Sequence, residues 1–429
     1  MDTIYAVSSG APPAAIAVLR VSGPHAFEVV RAFAGDLPKP RRAAVRALQD
    51  PADGALLDRA IVLCFPGPNT ATGEDLAEFH LHGGRAVVRA VEAALAARPG
   101  LRSAEPGEFT RRALIHGRID LSEAEGLGDL LMAETEAQRR SAIRSAEGAV
   151  RRAVEGWTDR LLGLAARVEA ELDHSDEDDV ADAALLPAIR SGATSLAADI
   201  EAIADRPPVE RLRDGIRVVL AGPPNAGKSS LLNAMAGRDA AIVSPISGTT
   251  RDRIEAPVVR GGIAWLLIDT AGLAELPGDE IEAIGIARAQ AAQAEADILL
   301  WLGDEIPPAH DHLLWLNPRA DLPGREREAG EARLSLSSRT GEGMDALWQA
   351  MAGLASDLLP PPDQMALNAR QRELSQGAAA ALRAIEWEND LLLIAEHLRS
   401  AMRAFDAITG RAGVEAMLDA LFGRFCIGK

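Results

Sequence analysis

The stretch that most constrains this chain is residues 216–236, IRVVLAGPPNAGKSSLLNAMA. Aliphatic residues run from Ile216 to Leu220 and stop at Gly222. The loop Gly222-Pro-Pro-Asn-Ala-Gly227-Lys228-Ser229 follows, and the spacing predicts an amphipathic helix opening at Ser229. Strand, glycine loop and helix, in that order, are the setting a phosphate-binding P-loop requires. The loop N–H groups and the helix N-terminus form a cradle for phosphate oxygens. The expected lining is Asn225, Ala226, Gly227, Lys228, Ser229 and Ser230. Lys228 would reach the outer phosphates and the Ser229 hydroxyl would hold Mg²⁺. A plain glycine turn is the bland alternative, disfavoured because every motif position is filled in the right context.

Later stretches add what a nucleotide hydrolase needs. WLLIDTAG (265–272) reads as an apolar strand ending at Asp269, an acid placed to hold Mg²⁺ through water. Thr270, Ala271 and Gly272 follow, and the Gly272 N–H can meet a terminal phosphate. Upstream, Ser247, Gly248, Thr249 and Thr250 open SGTTRD, where a threonine can close over Mg²⁺ only while the γ-phosphate is present. DTAG or TTRD alone is weak; the three motifs in this order are strong.

Base recognition is less regular. LLWLNPRADLPG (313–324) resembles an Asn-Lys-x-Asp element, with Asp321 available to the guanine edge. Pro318 stands where the Asn belongs, and Asn317 is displaced by one. The missing contact would cost about 1–2 kcal/mol. LSLSSRTGEG (334–343) brings Ser337, Ser338 and Arg339 toward the base. GTP is favoured over ATP, with weakened guanine specificity as an open alternative.

The rest of the 429 residues predicts several domains. IAVLRVSG (16–23) and AIVLCFPGPN (60–69) read as strands, and RAVVRAVEAALAAR (85–98) as a helix. From about Leu121 to Leu172 the pattern is almost wholly helical, with an acidic break at residues 173–179 and another helix over roughly 184–205. An α/β pattern fills 216 to about 355, and helices resume after Leu359-Pro-Pro-Pro362. The expected boundaries are 1–120, 121–212, 213–357 and 358–429. The fold class is multidomain α/β and α: an α+β N-terminal domain, a helical domain, and an inserted P-loop domain with a parallel or mixed sheet flanked by helices.

No apolar run reaches membrane-span length, and the N-terminus lacks a secretory pattern. The two cysteines, Cys64 and Cys426, have no metal-ligand spacing. Together these features predict a cytoplasmic protein without membrane association. The net charge of −18 argues against non-specific nucleic-acid coating. Arg139, Arg140, Arg144, Arg151 and Arg152 are either a local basic patch or a solvated helix face.

Three further stretches carry a family resemblance: FPGPNTATGED (65–75) followed by HGG (82–84), PGEFTRRALIHGRIDLSEAEG (106–126), and the ending FCIGK (425–429). With a GTPase segment inserted between helical ones, the whole chain closely resembles the MnmE (TrmE) tRNA-modification GTPases. The resemblance implies a folate-binding, dimerising N-terminal domain and a homodimer. It implies a heterotetramer with an FAD protein, MnmG (GidA), that installs a (carboxymethyl)aminomethyl group at carbon 5 of the wobble uridine of certain tRNAs. The one-carbon unit would come from a 5-formyl or 5,10-methylene tetrahydrofolate.

The resemblance also implies K⁺ in place of an arginine finger, held by Asn225, Ser244, Ile246 and Thr249, with Pro245 in the same nucleotide-contacting segment. It assigns Glu282 to the attacking water, alongside Thr250 and Gly272 as catalytic positions. Folate would meet Arg20, Glu78, Arg118 and Lys429, and Cys426 is a possible tail thiol. A different class remains in view: a GTP-dependent regulatory or assembly switch without modification chemistry. The folate-like stretches and the FCIGK tail speak against it.

Overall fold

The computed structural model describes residues 2–174, 184–239, 255–270, 290–325, 333–361, 363–411, 421–423, 425, 427 and 428. Two compact units emerge. One comprises residues 1–128, 146–155 and 406–429, and the other residues 129–145 and 156–405.

Alternation of more and less buried residues along β2, β4 and β5 orients the sheet of the first unit. Its strands are β1 (Thr3–Val7), β2 (Ile16–Ser22), β3 (Ala44–Gln49), β4 (Leu56–Phe65), β5 (Leu76–His82) and β6 (Leu101–Ser103). Their order is β3-β4-β5-β2-β1-β6, antiparallel except for β1 with β6. Leu19, Val21, Val62, Phe79 and Leu81 point to one face. There they pack against Val29, Val30 and Phe33 of helix Ala26–Ala34 and Val88, Val91 and Leu95 of helix Arg85–Ala96. Period-two geometry sends Arg20 and Glu78 to the opposite face, where the register makes them direct partners. Ile4, Ala6, Ala104 and Phe109 form a small apolar cluster.

β4 starts before the expected Ala60 and stops at Phe65, ahead of Pro66, because proline cannot continue the ladder. The almost wholly helical stretch expected from about 121 to 172 comprises three helices, Leu121–Met132, Glu136–Ala146 and Ala149–His174. Thr135 and Gln138 make a capping box: the Gln138 N–H donates to Thr135 Oγ1 at 3.2 Å, and the Thr135 N–H donates to Gln138 Oε1 at 2.7 Å. Gly148, at φ +80°, makes the second break. The third helix runs through Asp173 and His174 into the acidic stretch.

In the second unit β7 (Ile216–Ala221), β8 (Glu255–Arg260), β9 (Ile263–Asp269), β10 (Ile298–Trp301), β11 (Leu313–Pro318) and β12 (Leu334–Leu336) form a sheet ordered β12-β11-β10-β7-β9-β8. Only β8 is antiparallel. Helix Lys228–Asp239 contributes Leu231 and Met235, and helix Met344–Leu358 contributes Leu347, Trp348 and Met351, to a core with Ile216, Val218 and Leu220. The strand order reverses beside β7, which opens a crevice at the carboxyl ends of β7 and β10. Elsewhere in this unit, helix Leu185–Ala204 packs along helix Ala369–Ala384.

Candidate functional site

The loop at the end of β7 lies in that crevice. A Cβ on Gly222 would come within 3.1 Å of the Gly303 nitrogen, so only glycine allows the close approach of the two strand ends. Gly227 has φ +100° and Asn225 φ +60°, the left-handed region that asparagine tolerates better than most residues. The helix opens at Lys228, one residue before the sequence expectation. Lys228 is 6% exposed, and its ammonium donates to the carbonyls of Gly222 and Pro223, each at 2.9 Å. Two of its three donors thereby fix it across the loop, leaving one to point at a phosphate. Burial lowers its pKa, and the Asp269 carboxylate opposes that shift.

Ser229 Oγ donates to Asp269 Oδ2, which joins the helix start to the end of β9. Two oxygens brought together from separate elements suit a hard cation such as Mg²⁺. Thr270 is buried and its hydroxyl donates to the Leu220 carbonyl at 2.8 Å, so that side chain ties β9 to β7. Ala226 packs against the core, and Ser230 is exposed on the first helical turn.

At the base end, Asp321 accepts from Ser337 Oγ at 2.6 Å and from Arg339 Nε at 3.0 Å. The Ser337 hydroxyl, aided by the Arg339 charge, holds the carboxyl below the usual carboxylate range. Ser338 is half-buried beside them. Asn317 turns inward: its Nδ2 donates to the Arg325 carbonyl at 3.1 Å and Ser335 Oγ at 3.2 Å. It braces β11 against β12 and does not replace the amide lost at Pro318. Arg319, which with Ala320 and Asp321 resembles the Lys-x-Asp part of the motif, is at φ +62° and donates to the Asn225 carbonyl, a contact the sequence did not announce. Its Nε would lie 3.7 Å from a Cβ on Gly227. It stands one residue after Pro318, at the Lys position of the related motif.

The first unit carries its own polar site. Arg20 Nε and Nη2 donate to Glu78 Oε1 at 3.1 and 2.9 Å. The Arg20 guanidinium also lies 5.8 Å from the Phe109 ring centre. His80 Nε2 sits 3.3 Å from Glu78 Oε2. Arg118 is exposed and reaches Asn69 Oδ1 at 3.4 Å. Near the end of the chain Ser8 Oγ donates to the Gly428 carbonyl at 2.8 Å, and Ile427 forms an antiparallel bridge with Pro106. Gly428 has φ +95°, and a Cβ there would fall 2.2 Å from the Val7 carbonyl oxygen. The tail thus ends beside Ser8, two residues from Ala6, the strand partner of Arg20. Neither Ser8 nor this docking was expected from sequence.

Ser244 to Thr250, Ala271, Gly272, Glu282, Cys426 and Lys429 lie outside the described residues.

A family model described as "GTP-binding protein TrmE N-terminus" matches residues 3–118, and one described as "MnmE helical domain" matches residues 121–426. The chain belongs to the MnmE (TrmE) GTPase family. A protein of Rhizorhabdus wittichii called tRNA modification GTPase MnmE is 58% identical over all of this chain and 97% of its own length. One of the same name from Erythrobacter litoralis is 56% identical over the full length of both. Among solved structures, the G domain of the T. maritima FeoB iron transporter is similar over 33% of this chain and 98% of its own, at 23% identity and a TM-score of 0.24. The P-loop fold itself is read from the sheet order above.

Other expected features of this MnmE-family chain resolve locally. Arg139 and Arg140 both pair with Glu136, and Arg151 pairs with Glu155 and Glu123. These arginines lie on two separate helices, Glu136–Ala146 and Ala149–His174, and each of the three is paired with a carboxylate. His82 Nδ1 is 2.7 Å from the buried Asp58 carboxylate. Cys64 is buried in the first core, and burial pushes its thiol up to about 11.

Proposed function

We propose that this chain is a K⁺-activated GTP hydrolase that works as a homodimer in the cytoplasm with an FAD-containing MnmG (GidA) partner. The pair would install a (carboxymethyl)aminomethyl group on carbon 5 of the wobble uridine of certain tRNAs, using a tetrahydrofolate one-carbon unit. The observation that carries this reading is that one chain holds both a P-loop with Ser229 on Asp269 and a separate sheet face presenting Arg20 on Glu78. A bare GTP-dependent switch has no need of the second site. The relatives' shared name, tRNA modification GTPase, supports the same assignment. The proposed division is a folate-binding domain at 1–120, helical segments at 121–212 and 358–429, and the GTPase domain at 213–357.

Within the nucleotide site Lys228 and the loop amides hold the phosphates. Ser229 and Asp269 would hold Mg²⁺, with Thr250 joining them. Asn225, Ser244, Ile246 and Thr249 would hold K⁺. Among the described residues the Asn225 amide has no hydrogen-bond partner and its side chain is exposed, which suits a ligand to a bound ion. Bound cations supply positive charge against the charge that develops on the β- and γ-phosphates. Glu282 would orient the attacking water, and Gly272 would offer its N–H to the γ-phosphate. Asp321 would accept from the guanine edge. In the first unit Glu78 would accept from the pterin amino group, with Arg20, Arg118 and Lys429 around it. Cys426 would arrive on the docked tail.

The test is reconstitution. The purified chain, an MnmG-type partner, GTP, a tetrahydrofolate and an unmodified tRNA should yield the modified nucleoside by mass spectrometry. Omission of GTP or of folate should abolish it. Product formed equally without GTP would overturn the proposal.

A further inference from the structure

Arg20 and Glu78 neutralise one another, so this pair has no positive charge left for an anionic ligand. Next to them lies an arginine couple with no such compensation. Arg41, at φ +59°, is fixed by its N–H donating to the Cys64 carbonyl at 2.8 Å. Its guanidinium lies over the Phe65 ring at 5.6 Å and donates to the Asn69 carbonyl. Arg118 meets the same asparagine through Oδ1 at 3.4 Å. Both side chains are exposed, and neither has a carboxylate partner among the described residues. Two guanidiniums sharing one neutral residue repel one another, and an anion between them relieves that repulsion.

Position identifies the anion. Phe65 pairs with Leu76 on β5, two residues from Glu78, and Leu63 pairs with Glu78 itself. Two residues of strand span about 7 Å, so Phe65, on whose ring the Arg41 guanidinium rests, lies one strand repeat along the sheet from Glu78. A folate is neutral at its pterin and carries carboxylates at its glutamate end. We infer that Arg41, with Arg118, is a carboxylate clamp for the glutamate tail of a bound folate, while Glu78 and Arg20 receive the pterin. This rests on the folate reading proposed above. Arg41 is new to that reading, and it would make the site selective for glutamylated over tail-less pterins.

The experiment uses the full chain, titrated calorimetrically with 5-formyltetrahydrofolate, its triglutamate form and a tetrahydropterin lacking the tail. Arg41→Gln should weaken both folates by about tenfold, the triglutamate at least as strongly as the monoglutamate, and leave tetrahydropterin binding unchanged. Arg41→Lys should restore part of the loss, since it keeps the charge without the planar fork. Unchanged thermal unfolding and GTP turnover in Arg41→Gln would show an intact protein. Equal folate affinity in Arg41→Gln and wild type overturns the clamp, as does an equal loss for tetrahydropterin, or loss of tRNA affinity in place of folate affinity. Absence of folate binding by the wild-type chain overturns the folate reading itself, and the clamp with it.

Discussion

Arg319 donates a hydrogen bond to the carbonyl of Asn225, so the base-reading element and the phosphate loop are directly joined. Both residues hold left-handed backbone conformations, which the contact helps to fix. Arg319→Ala should loosen the loop and weaken GTP binding by about 1 kcal/mol, roughly fivefold. Arg319→Lys should recover part of this. Fluorescent-nucleotide titration checks it; unchanged affinity in the alanine variant would show that the loop holds its shape alone.

Asp321 offers only acceptors when ionised, which suits the N–H edge of guanine. Asp321→Asn should lower GTP affinity roughly tenfold or more, and raise affinity for xanthosine triphosphate, whose extra carbonyl accepts from the new amide. Competition binding with GTP, XTP and ATP reads this out. The pH dependence follows from the lowered pKa of Asp321. Its contribution is present above the ordinary carboxylate pKa. It begins to fall as pH drops through that value, because the unfolded carboxylate protonates first, and is gone once pH has passed through the lowered one.

How much of this was legible beforehand depends on the range of each contact. The P-loop and the DTAG strand were readable because strand patterning and a contiguous motif are local signals, whereas Arg20 and Glu78 were singled out only by the family resemblance and would pass on spacing alone for ordinary surface charges. The helix breaks were written locally, in Thr135-x-x-Gln138 and Gly148, but apolar spacing alone marked the stretch only as almost wholly helical and set no helix ends within it. Arg319 on Asn225 joins residues 94 apart, and Ser8 on Gly428 joins residues 420 apart. Such pairings come from topology, and no periodicity announces them. Asn317, displaced by one from the motif position in the sequence, is buried on β11 and bonded to Ser335 of β12.

Ser229 and Asp269 should act as one unit. Ser229→Ala and Asp269→Asn should each raise the Mg²⁺ concentration needed for half-maximal GTP hydrolysis. The double variant should fall short of the summed effect, because the two residues meet. Mg²⁺ titrations of turnover give the comparison; full additivity would separate the two roles.

Cys64 carries a pH signature. Burial raises its folded pKa from 9.0 to about 11, so folding favours the protonated thiol. That contribution is fully present below pH 9 and fades as pH rises toward about 11. Thermal unfolding of wild type should therefore lose stability over this window more steeply than Cys64→Ala, despite the lower stability of the variant at neutral pH. Parallel slopes would contradict the assignment. Alkylation of Cys64 by iodoacetamide should also be negligible in the folded protein at pH 8.

The measurement closest to the central claim is the initial rate of GTP hydrolysis in K⁺ and in Na⁺, at matched ionic strength and saturating Mg²⁺, for wild type and Asn225→Ala. The proposed mechanism predicts faster turnover in K⁺ for wild type. It predicts loss of that difference in Asn225→Ala, with nucleotide binding retained. Equal wild-type rates in the two salts would contradict it.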